Sequence, residues 1–127
     1  MRLSRLTDPR FRDLLITLSK EKLPLRVGFK LKGIIKTVNE EHAKYDELRL
    51  EAIKRYAKLK LDGELELDEN SGAIFESQEN MNGFISELND LVSLELTNIG
   101  SVSISELGDN LSLTTEDLLV LDGVITE

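Results

Sequence analysis

The sequence predicts an α+β fold, in which shorter helices and a small antiparallel β-sheet or hairpin pack against a long central helix. Apolar residues recur at helical spacing between residues 25 and 60, and the period changes to strict alternation from Glu64 to Asp68. With 127 residues, 40% of them hydrophobic and 31% charged, the chain has the composition of a folded, soluble protein. We therefore expect a single domain over residues 1–127.

The first helix is predicted over residues 9–20. Thr7 or Asp8 is suited to cap it, and Pro9 is tolerated in a first helical turn because its missing N–H has no partner there. The apolar stripe of this helix consists of Phe11, Leu14, Leu15 and Leu18. Pro24 disfavours helical geometry in the residue before it and marks the boundary with the next element.

The long helix is predicted from Leu25 to Lys60. Its stripe consists of Leu31, Ile35, Val38, His42, Tyr45, Ala52, Tyr56 and Leu59. Gly28 and Gly33 each cost about 1 kcal/mol relative to alanine in a helix interior. A helix of this length in so short a chain predicts one of three arrangements: it protrudes, it pairs with the same helix of a second copy, or it bends near the glycines.

Beyond residue 61 the sequence predicts a β-hairpin and a third helix. Residues 64–68 alternate, residues 69–72 form a turn, and residues 73–76 return as the second strand. Ser77 or Asn80 then caps a helix. Its apolar stripe consists of Met81, Phe84, Ile85, Leu88 and Leu91.

The last third of the sequence predicts two short strands and a final helix. Residues 94–96 and 102–104 alternate and are expected to pair with each other. Thr114 or Thr115 opens a short helix that continues through Leu121, and Gly123 closes it.

Charge is distributed very unevenly along the chain. The 16 basic and 8 acidic residues of positions 1–60 give this basic helical half a net charge of +8. The acidic α+β half, residues 61–127, has 16 acidic residues, no basic ones and a net charge of −16. This asymmetry has three explanations: the halves pack together within one fold, the acidic half of one copy meets the basic half of another, or each half binds a separate partner.

The residue inventory argues against an enzyme. The chain has no cysteine and one histidine, His42, which falls on the apolar stripe of the long helix and is expected to be packed or interfacial. The acidic stretch that starts at Asp68 has Ala73 where a calcium loop needs glycine. Alternation instead predicts that Glu64, Glu66 and Asp68 share a solvent-facing side of a strand. We predict no catalytic residue, cofactor or metal.

The candidate partner-binding residues come from both halves of the chain. The basic helical half contributes Arg26, Lys30, Lys32, Lys36 and His42, and the acidic half contributes Glu64, Glu66, Asp68 and Glu69. Few aromatic residues and an acidic half that repels phosphate argue against direct binding of nucleic acid. The apolar runs are far shorter than the roughly 20 residues needed to span a bilayer, so no membrane association is expected.

Several segments together resemble a family of short proteins of unknown function encoded by tailed bacteriophages and prophages. These are Leu23-Pro24-Leu25-Arg26-Val27-Gly28-Phe29-Lys30-Leu31, the long helix to Arg55-Tyr56, Asp62-Gly63, Asp68-Glu69-Asn70, Phe84-Ile85-Ser86-Glu87-Leu88, and residues 113–121. The resemblance covers residues 12–125. Relatives tend to have glycine after the tyrosine that ends the long helix, and Ala57 in its place implies a helix one turn longer.

The resemblance implies a phage protein, located in the host cytoplasm or the virion, that binds a phage or host protein. Its expected role is virion assembly or structure, or self-association through the long helix. An alternative function is inhibition of a host defence nuclease, with the acidic half acting as a nucleic-acid mimic.

Overall fold

The computed structural model describes residues 1–108 and 111–127, which are mainly helical. The elements in chain order are a 3-10 helix (Leu3–Thr7), α1 (Pro9–Ser19), α2 (Leu25–Tyr56), α3 (Gln78–Val92), β1 (Val102–Ser103), α4 (Ile104–Leu107), α5 (Thr115–Val120) and β2 (Ile125–Thr126). The prediction of a mixed fold with a long helix is therefore confirmed.

Helix α1 begins and ends close to the predicted bounds. The Asp8 carboxylate accepts a hydrogen bond from the backbone N–H of Arg10 at 3.0 Å, and proline occupies the first turn. Phe11, Leu15 and Leu18 are buried, as expected for one face of an amphipathic helix.

Helix α2 begins at the predicted residue but ends at Tyr56, earlier than predicted. The N–H of Ala57 still donates to the Ile53 carbonyl at 2.8 Å. The next N–H, that of Lys58, donates instead to Ile74 at 2.7 Å, and Lys60 donates to Glu64 at 2.7 Å. These donors are used outside the helix, so the longer helix implied by Ala57 does not form.

The predicted antiparallel sheet is wrong. The sheet has two strands, β1 and β2, which pair in parallel with Val102 opposite Ile125. The region expected to form a hairpin has isolated antiparallel bridges, Leu59 with Leu65 and Leu67 with Ala73. Turns at residues 60–63 and 68–71 follow each other so closely that too few residues remain between them for a ladder of consecutive pairs.

The predicted pairing of residues 94–96 with residues 102–104 is also wrong. Glu95 forms an antiparallel bridge with Arg2, and the strand that begins at Val102 pairs with the C-terminal segment. Ile104, expected in a strand, begins α4 instead. There Glu106 accepts from the backbone N–H and the hydroxyl of Ser103 at 3.2 and 3.1 Å.

Helix α5 is capped as predicted. Thr114 accepts from the N–H of Asp117 at 3.0 Å, and the Asp117 carboxylate accepts from the N–H of Thr114 at 3.1 Å. At the other end, Arg5 donates to the carbonyl groups of Val120 and Asp122 at 3.0 and 2.9 Å. A cation at a helix C-terminus satisfies carbonyl groups that have no partner within the helix.

The chain divides into two compact units. The first comprises Met1–His42 and Glu95–Glu127, and the second comprises Ala43–Leu94. The boundaries between the units differ from the boundary between the basic and acidic halves at residue 60, and the prediction of a single domain stays a prediction.

The first unit contains a large apolar core. Its buried hydrophobic residues include Leu3, Leu6, Phe11, Leu15, Leu18, Val27, Leu31, Ile34, Val38, Val102, Leu107, Leu121, Val124 and Ile125. The second unit, described by itself, has Ala52 as its buried hydrophobic residue, and α3 has none. Within the described residues, no helix combines the length and the apolar character that crossing a membrane requires.

Candidate protein-binding surface

An open groove of about 590 Å³ lies in the first unit, where α1 ends and α2 begins. We call it the α1–α2 groove and define it by Leu23, Leu25, Phe29, Leu31, Lys32 and Ile35. Ser19 and Glu21 complete one side. The groove is therefore mainly apolar, with one charged residue of each sign in its lining.

The groove follows from the local sequence. Pro24 ends the connection after α1, and the first turns of α2 place Leu25 and Phe29 on one face because they are four residues apart. Val27 and Leu31 are buried, whereas Leu25 and Phe29 are 93% and 79% exposed. A leucine and a phenylalanine exposed side by side mark a surface that is suited to contact another molecule.

The sequence around the groove is strongly basic. Residues 20–36 contain six basic residues and one acidic residue, a net charge of +5. Three of the predicted binding residues in this stretch, Arg26, Lys32 and Lys36, are exposed. The α1–α2 groove thus lies in a stretch of sequence rich in basic residues, of which Lys32 is part of the lining.

Lys30 is used within the fold. Its ammonium group lies 2.8 Å from the Glu106 carboxylate of α4, and this hydrogen bond is the largest cause of a Glu106 pKa lowered to about 2. Lys30 therefore stabilises the first unit, and its charge is partly offset where it lies.

His42 is half-buried, and its role as a packed or interfacial histidine stays a prediction. Its Nδ1 lies 3.4 Å from the Arg12 guanidinium. Because arginine has donors and no acceptor, Nδ1 is the acceptor in this contact. His42 is not among the residues that line the α1–α2 groove.

The four predicted acidic residues do not form one uniform face. Glu64 and Glu69 are exposed, whereas Glu66 is half-buried and lies 3.4 Å from the Lys58 ammonium. The Asp68 carboxylate accepts from the N–H groups of Asn70 and Gly72, both at 2.9 Å. The hydrogen bonds of Asp68 fix a turn. Glu66 and Asp68 therefore both have partners within the chain.

Residues 61–64 form an exposed turn, which we call the Leu61 turn. Gly63 N–H donates to the Lys60 carbonyl at 3.0 Å, and Glu64 N–H donates to the Asp62 carboxylate at 3.0 Å. Gly63 has a φ of +85°, which favours glycine. Leu61 is fully exposed.

Three apolar surface residues were thus missed: Leu25, Phe29 and Leu61. The first two lie outside the stripe that defined the long helix, and their spacing of four residues was the available signal. For Leu61, the signal was the Asp62-Gly63 dipeptide, which is typical of a tight turn.

In residues 1–108 and 111–127, no group of three or more histidine, aspartate or glutamate side chains is arranged to hold a metal ion. No protein-family model, no curated protein and no solved structure matches this chain.

Proposed function

We propose that this protein is a non-enzymatic protein-binding protein and that the α1–α2 groove is its binding surface. The occupant is an acidic, amphipathic segment of a partner protein. The observation that carries the proposal is the exposure of Leu25 and Phe29, at 93% and 79%, within a groove formed by a stretch of sequence that is rich in basic residues.

The two exposed side chains supply the affinity. Full burial of a leucine or phenylalanine side chain is worth roughly 1.5–3 kcal/mol, so a partner that covers both gains several kcal/mol before the cost of association. Three exposed basic residues of the same stretch, Arg26, Lys32 and Lys36, select an acidic partner and accelerate encounter, because complementary charge affects specificity and association rate most strongly.

The setting of this role follows from the resemblance to short proteins of tailed phages. The protein acts in virion assembly or structure, or by self-association, in the host cytoplasm or the virion. Binding to a phage or host protein through a small apolar groove is consistent with either location.

Inhibition of a host nuclease by the acidic half is the second candidate. Its support is the stretch of residues 61–70, which has five acidic residues and no basic one. The support is weaker because Glu66 and Asp68 have partners within the chain. Salt-sensitive inhibition of a basic nuclease by the purified protein would favour this candidate over the groove.

A peptide-binding measurement tests the proposal. A fluorescein-labelled amphipathic peptide of glutamate, leucine and alanine is titrated with the protein, and binding is followed by fluorescence polarisation. Phe29→Ser is expected to weaken binding by at least about tenfold, which corresponds to 1.4 kcal/mol. Leu119→Ser is the matched control, because Leu119 is 69% exposed and is not among the residues that line the groove.

The charge of the probe provides the second control. The same peptide with lysine in place of glutamate is expected to bind more weakly, and added salt is expected to weaken binding of the acidic peptide. Equal binding of both peptides, or equal binding by Phe29→Ser and the parent protein, would contradict the proposal.

A further inference from the structure

We propose that the α1–α2 groove binds the Leu61 turn of a second copy of this chain, so that copies associate head to tail. The inference rests on the proposed function, since it names the partner of the same groove. The two surfaces are both exposed. One contains Leu25 and Phe29, and the other contains Leu61.

The Leu61 turn is a hydrogen-bonded turn that exposes one leucine. Its leucine is fully exposed, and the backbone on either side is fixed by the Lys60 N–H to Glu64 carbonyl hydrogen bond at 2.7 Å. The bridge between Leu59 and Leu65 lies directly behind it. A backbone that already has the bound conformation loses little conformational freedom on binding, which favours association.

Charge makes the turn and the groove complementary. Leu61 is followed by two exposed acidic residues, Asp62 and Glu64, so the turn of residues 61–64 has a net charge of −2. Residues 20–36, which include most of the groove, contain six basic residues and one acidic residue; Lys30 is paired with Glu106, and Lys32 lines the groove. Contact between the two therefore brings opposite charges together around an apolar centre, the arrangement typical of specific interfaces.

The same charges decide which surfaces of two copies meet. A two-fold contact of groove with groove would bring two basic surfaces together, and a contact of turn with turn would bring two acidic ones together. Groove with turn brings opposite charges together, and after the first contact one copy still has a free groove and the other still has a free turn. Such a contact extends into chains or closes into rings.

One turn in one groove is a small interface. Stable interfaces bury about 1,200–2,000 Å² in total, so a contact of this size gives weak association that depends on protein concentration. Because the charges are exposed, salt is expected to weaken it.

Sedimentation velocity with two variants tests the inference. The parent protein is expected to associate with rising concentration at about 50 mM salt and to dissociate at about 500 mM. Phe29→Ser alone and Leu61→Ser alone are expected to stay monomeric, because one lacks the groove and the other lacks the turn. Leu119→Ser and Leu67→Ser, which change exposed leucines elsewhere, are expected to associate like the parent protein.

Mixing the two monomeric variants gives the decisive result. Phe29→Ser supplies an intact turn and Leu61→Ser supplies an intact groove, so the mixture is expected to form a heterodimer that does not grow further. Circular dichroism of each variant confirms that it is folded before mixing.

Two outcomes would overturn the inference: a parent protein that stays monomeric at low salt, or association of the parent without heterodimer formation in the mixture. If the groove still binds the acidic peptide in either case, the protein-binding role stands and its partner is not a second copy. If the groove also fails to bind the acidic peptide, both the self-association and the protein-binding role are overturned.

Discussion

Glu106 stabilises the short helix α4 through three hydrogen bonds. Its carboxylate accepts from Lys30, from the Ser103 N–H and from the Ser103 hydroxyl at 2.8, 3.2 and 3.1 Å. All three hydrogen bonds favour the charged form, and the one from Lys30 has the largest effect on the lowered pKa. Helix α4 has four residues, too few to be stable without such contacts.

The pKa of Glu106 predicts how stability depends on pH. Because the pKa falls from an ordinary value of 4.5 to about 2 on folding, Glu106 stabilises the fold fully above pH 4.5 and loses this contribution as the pH falls towards 2. We expect Glu106→Gln to lower the free energy of unfolding near neutral pH, and the difference from the parent to shrink as the pH is lowered.

Urea denaturation across this pH range measures the effect. Glu76→Gln, which changes an exposed glutamate, is the control and is expected to leave the pH dependence close to that of the parent. A constant difference between Glu106→Gln and the parent at every pH would show that the charge of Glu106 is not what stabilises the fold.

At the level of the helices, two glycines have opposite environments. Gly33 lies in the exposed face of α2, and a Cβ added there would meet no atom within 4 Å. Gly83 lies in α3, where an added Cβ would be 2.6 Å from Cε1 of Tyr56. The absence of a side chain at Gly83 therefore permits the Tyr56 ring to lie against α3, whereas Gly33 has no such role.

Alanine substitutions at these glycines are expected to act in opposite directions. Gly33→Ala is expected to raise the free energy of unfolding by up to about 1 kcal/mol, because alanine is the better helix former. Gly83→Ala gains the same helix propensity but forces the Tyr56 ring to move. Because overpacking costs about 1–3 kcal/mol, we expect this variant to have a lower free energy of unfolding. Thermal or urea denaturation of both variants checks this, and stabilisation by Gly83→Ala would contradict it.

For the molecule as a whole, ion pairs connect the basic and acidic halves of the sequence. Five such pairs are Arg2 with Glu95, Arg10 with Glu116, Lys30 with Glu106, Arg55 with Glu87 and Lys58 with Glu66. Each joins a residue before position 61 to one after it, so part of the charge asymmetry is used inside the fold. Apart from Lys30 with Glu106, the pairs are substantially exposed and contribute little stability individually.

Burial differs between the two units and predicts a difference in local stability. Helix α1 buries three apolar residues in the core of the first unit, whereas α3 of the second unit has no buried residue. We expect the backbone amides of α1 to exchange with solvent at least about tenfold more slowly than those of α3, because opening α1 exposes more apolar surface. Hydrogen exchange followed by mass spectrometry measures both, and equal protection would contradict the prediction.

The sequence by itself determined the helix boundaries that depend on neighbouring residues. Asp8 and Thr114 cap α1 and α5, and Ser77 caps α3, because each cap is a contact with an N–H two or three residues away. Pro24 separates α1 from α2 for an equally local reason. A contact between near neighbours has few competitors, so the pattern of residues is enough to predict it.

Only the tertiary structure decided the pairings and exposures that depend on distant segments. Val102 has several alternating segments available to it, and its pairing with Ile125 depends on where the rest of the chain places both. The end of α2 at Tyr56 depends in the same way on the carbonyl of Ile74. Leu25 and Phe29 were recognisable as apolar, but their exposure in the α1–α2 groove depends on which other residues fill the core of the first unit.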